Sequence, residues 1–227
     1  MRFDAAALRH LLLVLLVVAP AGCIIDWNSV RGGGSDASAD VPDGDDGGVD
    51  APPDGPPCKL QLLINEVEMA GALGPSDEFV ELRNDADCEG SLGGYELRYS
   101  SAGGSSPNAV WTGTTETIPA KGYVVLGGKA FQGQTNVVGR WKDDVGNGVL
   151  SATGGGVGLF GPDLLLVDSV AYETLSNKNH PFLKPQGGLG APNPGASKSI
   201  ARIPDGTNTS TNATDFKVGA PTPGASN

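Results

Sequence analysis

The sequence predicts an all-β fold, an antiparallel β-sandwich or a closely related barrel, preceded by a disordered linker. Three observations lead to this prediction. The 227 residues include 35 Gly and 17 Pro, which favour short strands and many turns over long helices. From Cys58 onward, short apolar runs recur between turn signals without a helix-length pattern. Before Cys58 the chain is acidic and poor in large apolar residues for a long stretch.

Two short runs open the strand-rich part, which spans residues 58–227. Leu62–Val67 and Glu78–Asn84 each combine apolar residues with carboxylates and an amide. The loop between them, Met69–Asp77, contains Gly, Pro, Ser and Asp. This pattern is typical of two neighbouring strands in a small β domain.

Six further runs predict the remaining strands. Leu92–Tyr99 alternates aromatic and aliphatic residues with charged ones, which is the pattern of a half-buried strand. Val157–Phe160 and Leu165–Tyr172 flank the turn residues Gly161-Pro162-Asp163 and predict a hairpin. The other three runs are Val110–Trp111, Ile118–Leu126 and Ser199–Ile203.

Residues 1–22 have the pattern of a secretory signal. Arg2 and Arg9 form a positive n-region, and the apolar run Leu11–Ala19 is too short to span a membrane. The small residues directly before Cys23 resemble the lipobox of bacterial lipoproteins, in which cleavage leaves the cysteine as the lipidated N-terminus. We therefore expect lipidation at Cys23 and a membrane anchor. An ordinary secretory signal with a chance cysteine is the alternative.

Residues 23–57 are predicted to be a disordered acidic linker. Between residues 31 and 57 there are seven Asp, seven Gly and five Pro. Such a segment buries too little apolar surface to offset the entropy lost on ordering. The acidic run Asp43–Gly47 invites comparison with a calcium-binding EF-hand loop, but it has no flanking helices and Asp54 stands where the bidentate Glu should be. A plain linker is the preferred interpretation.

The charge of the chain argues against nucleic acid as a partner. The formal net charge is −11, and it becomes −12 once residues 1–22 are removed, because they contain two Arg and one Asp. Residues 58–227 carry 12 Lys and Arg against 17 Asp and Glu, a net charge of −5. Phosphate binding requires clustered cations, and the sequence contains no basic run.

Cys58 and Cys88 are the two cysteines that remain if Cys23 is lipidated. In an exported protein an isolated pair is most simply interpreted as one disulfide. Closing a loop of about thirty residues contributes about 3 to 4 kcal/mol of stability in the chain-entropy model. Two unpaired thiols are the alternative, because sequence does not give the distance between their Cα atoms. Zinc ligation is less favoured, since no histidine lies near them.

The order of these signals resembles the lamin tail domain, a family found in nuclear lamins and widely in secreted bacterial proteins. The resemblance implies an immunoglobulin-like β-sandwich that acts as a binding or architectural module. In bacteria such domains often accompany exported nucleases or hydrolases as a non-catalytic part. The matching segments are Ile64–Val67, Glu78–Asn84, Leu92–Leu97, Ile118–Leu126, Val167–Tyr172, Ser199–Arg202 and Thr222–Gly224.

Two groups of residues are candidates for acid–base chemistry. His180 is the one histidine after residue 22, and its Gly/Pro-rich surroundings predict an exposed loop position. Glu66 and Glu81 lie on predicted neighbouring strands and could act as a catalytic carboxylate pair. We favour the alternative that they form a structural polar network with Asn65 and Arg202, because buried carboxylates usually pair with arginine.

Ligand motifs are weak in this sequence. Glycines 154–156 could form a phosphate-binding loop, but no helix start and no Lys-Ser/Thr follow them, so a hairpin turn is favoured. A calcium site is conceivable at two loop clusters, although solvated loops are commoner. We therefore predict no cofactor and no resident metal. The two clusters are Asp85, Asp87 and Glu89, and Asp143, Asp144 and Asn147.

Together these features predict a non-catalytic lipoprotein of the cell envelope. It would be lipid-anchored to a bacterial membrane, at the outer membrane or cell surface, and would display a module that binds protein or glycan or serves as a scaffold. Two alternatives belong to other functional classes. One is a metal-dependent envelope hydrolase or nuclease that uses Glu66, Glu81 or His180, or its accessory domain. The other is an exported nucleic-acid-binding module.

Overall fold

The computed structural model of the chain describes most of the predicted β domain. The predicted signal peptide, the lipidation site Cys23 and the linker up to residue 57 lie outside the described residues. So do the linker motif Asp43–Gly47 and the loop carboxylates Asp143 and Asp144. The described residues are 58–133, 137–142, 146–172 and 175–227.

The described residues form strands, with one helix of four residues. The elements are β1 Leu62–Glu68, β2 Phe79–Asn84, β3 Gly90–Ser91, β4 Glu96–Ser101, β5 Asn108–Thr112, β6 Thr117–Ile118, β7 Tyr123–Gly127, β8 Val137–Arg140, β9 Gly155–Phe160, β10 Leu166–Tyr172, β11 Ser199–Arg202, α1 Asn212–Asp215 and β12 Phe216–Gly219. No helix in this part of the chain is long and apolar enough to cross a bilayer.

The strands form a β-sandwich, as the sequence predicts. One sheet has six strands in the order β12-β11-β1-β2-β7-β8, and the other has four in the order β10-β9-β4-β5. A small third sheet pairs β3 with β6. The predicted opening pair is β1 and β2, which run antiparallel. The predicted hairpin is β9 and β10.

The main core lies between the two large sheets. Side chains alternate between the faces of a strand, so every second residue of each strand can point into this layer. Ile64, Leu82 and Leu126 contribute from the six-stranded sheet, and Leu97 and Leu159 from the four-stranded sheet. All five are fully buried. A smaller cluster of Phe79, Val125 and Phe131 covers part of the opposite face of the six-stranded sheet.

The predicted disulfide is confirmed. Cys58 and Cys88 are bonded, with their Cα atoms 6.0 Å apart and a sequence separation of 30 positions. The bond links the segment that enters β1 to the segment that enters β3. It therefore fastens the start of the described chain to the body of the sandwich.

The structure differs from the predicted antiparallel arrangement of eight runs in one parallel pair and in three strands that were not predicted, β3, β8 and β12. β7 and β8 are parallel, and two parallel neighbours cannot be joined by a tight hairpin turn. The sequence pattern also missed β12, which pairs with β11. Only Phe216 of its four residues is buried, so β12 has no alternating pattern to detect.

Candidate functional site

Glu66 and Glu81 face each other within the six-stranded sheet. They are direct partners in the register of β1 and β2, so their side chains lie on the same face. The next pair in the register, Val67 and Val80, packs into the main core. By alternation, the two glutamates lie on the opposite face. Both side chains are nevertheless fully buried.

A β-bulge at Asn65 adds an amide to this pair. The register shifts between Ile64 and Glu66, so that Asn65 and Glu66 both lie opposite Glu81. Asn65 Nδ2 donates to Glu81 Oε1 at 2.9 Å and to Asp205 Oδ1 at 3.0 Å. We call Asn65, Glu66, Glu81 and Asp205 the carboxylate cluster.

The last seven residues of the chain lie over the carboxylate cluster. The Thr222 amide donates to Glu66 Oε1 at 3.0 Å, and the Gly224 amide donates to Glu81 Oε2 at 2.6 Å. The Asn227 amide donates to Asp205 Oδ1 at 3.2 Å. We call residues 221–227 the C-terminal strap. The strap therefore donates a backbone hydrogen bond to each of the three carboxylates.

Burial and hydrogen bonding have opposite effects on these acids. Burial raises the pKa of Glu81 to about 8, although hydrogen bonds from Asn65 and Gly224 oppose the shift. Burial likewise raises the pKa of Glu66 above its usual range, against hydrogen bonds from Ser199 and Thr222. Burial alone would also raise the pKa of Asp205, but its hydrogen bonds outweigh burial and lower it. Raised pKa values are typical of catalytic acids, yet these carboxylates are closed off from solvent.

The polar network predicted from Asn65, Glu66, Glu81 and Arg202 is divided in the structure. The first three belong to the carboxylate cluster, whereas the Arg202 guanidinium donates to Ile64 O, Asp215 and Asp168. The β-sheet register gives the reason. Ala201 is the partner of Glu66 on β11, so the next residue, Arg202, points to the other face of the sheet.

Arg202 instead joins the two large sheets. Its guanidinium pairs with Asp168 Oδ2 of β10 at 3.0 Å and with Asp215 Oδ2 at 3.1 Å. Lys184 Nζ also contacts Asp168 Oδ1, at 2.7 Å. The Arg202 guanidinium lies 4.4 Å from the centre of the Phe216 ring. Arg202, Asp168 and Asp215 are fully buried, and their charges are paired within the fold.

His180 is buried, so the prediction of an exposed loop histidine is wrong. Its exposed fraction is 0%. The ring contacts the Ser101 carbonyl through Nε2 at 3.0 Å, and Nδ1 accepts from the Phe182 amide at 3.2 Å. Such an arrangement fits a neutral imidazole, and burial lowers the pKa of His180. Both ring nitrogens hold the loop in place, which leaves neither for acid–base chemistry.

Gly156 and Gly158 allow the loop that contains His180 to pack closely against β9. They were predicted to form a hairpin turn, but Gly155 and Gly156 lie within β9. A Cβ atom on Gly158 would come within 2.4 Å of the Phe182 ring, and one on Gly156 within 2.8 Å of the His180 ring. Only glycine lets the loop pack so closely against the four-stranded sheet. The phosphate-loop interpretation has no geometric support here.

In the predicted calcium cluster that the structure describes, two of the three carboxylates are paired with cations. Asp85 contacts Arg83 Nε at 2.6 Å, and Asp87 contacts Lys121 Nζ at 3.0 Å. Among the described residues, no group of three or more His, Cys, Asp and Glu side chains is arranged to hold a metal ion. The second predicted cluster includes Asp143 and Asp144, which lie outside the described residues.

Several residues of these clusters were not identified from sequence. Asp168, Asp205 and Asp215 were missed, as was the role of the C-terminal strap. Asp168 did carry a signal, because it is a lone carboxylate in the apolar run Leu165–Tyr172. Asp205 and Asp215 lie in polar stretches, where an aspartate is unexceptional.

Comparisons with known proteins give little further information. No family model matches the chain, and no curated protein matches it. Among solved structures, a DUF4876 family protein from Bacteroides thetaiotaomicron VPI-5482 is similar, with a TM-score of 0.41 and 11% sequence identity. The match covers 70% of this chain and 71% of that chain.

Proposed function

We propose that this chain is a non-catalytic lipoprotein of the bacterial cell envelope, whose β-sandwich is a lamin-tail-like module that binds protein or glycan or serves as a scaffold. One observation carries the non-catalytic part of the proposal. The carboxylate oxygens of Glu66 and Glu81 accept hydrogen bonds from Ser199, Asn65 and the C-terminal strap. A general acid or base must reach its substrate, and these groups are fully buried.

The anchor and the location are supported by the sequence and by the disulfide. The charged and apolar stretches of residues 1–22, followed by Cys23, are typical of a processed lipoprotein. A disulfide such as Cys58–Cys88 is typical of proteins exported to an oxidising compartment. The lamin-tail assignment is supported by the order of the sequence motifs and by the sandwich architecture.

Mass spectrometry of the protein extracted from membranes, together with its crosslinked neighbours, tests this proposal. We expect a mature N-terminus at Cys23 that carries acyl chains, and a crosslinked protein or glycan that identifies the partner. Several acyl chains are needed for a stable anchor, since each buried methylene contributes only about 0.8 kcal/mol. A mature chain that begins elsewhere, or a free thiol at Cys23, would contradict the anchor.

Activity assays separate this proposal from the hydrolase and nuclease alternative. Purified protein is incubated with calcium or magnesium and with ester, peptide, glycan and nucleic-acid substrates. Metal-dependent turnover that is lost in Glu66→Gln, Glu81→Gln or His180→Gln would overturn the non-catalytic account. Salt-sensitive retention on DNA would support the third alternative, against the net charge of −5 for residues 58–227.

A further inference from the structure

Four consecutive aliphatic side chains are exposed at the end of the β9–β10 hairpin. Leu164, Leu165, Leu166 and Val167 have exposed fractions of 59%, 67%, 43% and 41%. We call these residues the hydrophobic tip. Exposed single leucines are common, but a contiguous exposed run usually marks a contact surface. The core does not explain the tip, since none of its four side chains is buried.

The backbone of the tip is ordered in a conformation that does not suit leucine. Leu164 has a φ angle of +61°, a region that glycine and asparagine adopt far more readily. The turn is held by the Leu164 amide, which donates to Gly161 O at 2.8 Å, and by the Leu165 amide, which donates to Asp163 Oδ1 at 3.0 Å. A leucine that is both strained and exposed contributes little to folding, which suggests a role outside the fold.

The tip lies beside the point where the preceding chain enters the domain. An open cleft of about 790 Å³ is bordered by Val167 and by Cys58, the first described residue. Lys59 and Tyr95 line the same cleft. Cys58 therefore lies at the end of the sandwich that carries the tip.

We infer that the hydrophobic tip inserts into the interfacial region of the phospholipid bilayer to which Cys23 is anchored. This inference rests on the proposed lipid anchor. The composition of residues 24–57 predicts a disordered linker, and a flexible chain of this length has a root-mean-square span of roughly 30 Å. Such a tether holds Cys58, and with it the tip, within reach of the surface at high effective concentration.

The surroundings of the tip fit the headgroup depth of electrically neutral lipid. Tyrosine and lysine are favoured at this depth, because each combines an apolar body with a polar end, and Tyr95 and Lys59 line the adjoining cleft. Asp163 and Glu89 line it too, so burial in the hydrocarbon would be costly. The net charge of −5 for residues 58–227 argues against anionic lipid.

Fluorescence quenching by brominated phosphatidylcholine tests the inference on the full-length protein. A Trp27→Phe background leaves Trp111 and Trp141 as native tryptophans, and both are buried in the core. The Leu165→Trp variant then places an exposed fluorescent side chain in the hydrophobic tip. Leu189→Trp is the matched control, because Leu189 is 68% exposed and lies near Ala191, which pairs with Tyr172 at the far end of β10.

We expect vesicles to quench the Leu165→Trp variant roughly twofold or more, as for side chains at the headgroup boundary, and to leave the Leu189→Trp variant unchanged. Equal quenching of the two variants, or none in either, overturns the inference. A shift in Leu165→Trp emission that depends on protein concentration, without lipid quenching, also overturns it and indicates a protein partner. Mass spectrometry of the same samples reports acylation separately. A failure of the proposed lipid anchor can therefore be distinguished from a failure of tip insertion.

Discussion

Glu66 and Glu81 are cross-strand partners, and each accepts a hydrogen bond from the backbone of the same C-terminal strap. Thr222 donates to Glu66 and Gly224 to Glu81. A pair of carboxylates that resembles a catalytic dyad in sequence therefore fastens the end of the chain to the outer face of the sheet.

The first prediction concerns pH and follows from the raised pKa values. The pKa is about 8 for Glu81 and about 7 for Glu68, so the folded state binds more protons than the unfolded state between the ordinary glutamate pKa and these values. Stability should therefore fall as pH rises from 6.5 to 8, by up to about 1.4 kcal/mol per pH unit for each such group. Chemical denaturation at several pH values measures this slope.

A Glu81→Gln variant is the control for the pH slope, because it removes one of the titrating groups and should reduce the slope while leaving the contribution of Glu68. The lowered pKa of His180 makes stability rise with pH. This effect lies mainly below the ordinary histidine pKa. The lowered pKa values of Asp205 and Asp215 affect stability only at still lower pH. A wild-type stability that rises with pH between 6.5 and 8 would contradict the burial of these glutamates.

The second prediction concerns Arg202. Arg202→Met should lower the free energy of unfolding by about 3 to 5 kcal/mol, because it leaves Asp215 buried without a cation and leaves Asp168 with only the partly exposed Lys184. Lys184→Met is the comparison, since the Lys184 side chain is partly exposed and Arg202 still balances Asp168. It should cost about 1 kcal/mol or less. Similar losses in the two variants would argue against Arg202 as the main link between the sheets.

The third prediction concerns the disulfide. Replacing Cys58 and Cys88 together by serine should lower the free energy of unfolding by about 3 to 4 kcal/mol, because the open loop gains entropy in the unfolded state. Urea denaturation with and without a reducing agent measures the effect. Reductant should destabilise the wild type and leave the double variant unchanged. A wild type insensitive to complete reduction would contradict the prediction.

The fourth prediction concerns the close packing at β9. Gly158→Ala should lower stability by about 1 to 3 kcal/mol, because the added methyl group meets the Phe182 ring. Gly219→Ala is a matched control on β12, where no heavy atom lies within 4 Å of the added position. It should be neutral or stabilise by up to about 1 kcal/mol. Thermal unfolding of the two variants compares them directly.

The sequence predicted the sandwich well because alternation and turn residues are local signals. β1, β2, and the β9–β10 hairpin all follow runs that carry the pattern themselves. The parallel pairing of β7 with β8 was not predicted, because it depends on a crossover that no local pattern encodes.

The polar clusters were only partly predictable for a similar reason. The contact between Glu66 and Glu81 follows from their positions on neighbouring strands. Their partners in the C-terminal strap, however, lie more than 100 positions away in sequence. The side of the sheet on which Arg202 lies depends on a register that pairs Ala201 with Glu66. A shift of one residue in that register would have placed Arg202 on the opposite face of the sheet. His180 was misjudged because burial of a loop depends on what packs against it.

Hydrogen exchange at the C-terminal strap tests the central claim most directly, which is that the two glutamates serve the fold and are closed to substrate. In the wild type we predict that the Thr222 and Gly224 amides exchange slowly, because Glu66 and Glu81 hold them. In Glu81→Ala the Gly224 amide should exchange much faster. Exchange of both wild-type amides at the rate of an unstructured chain would contradict the account, since the carboxylates would then be open to solvent and available for chemistry.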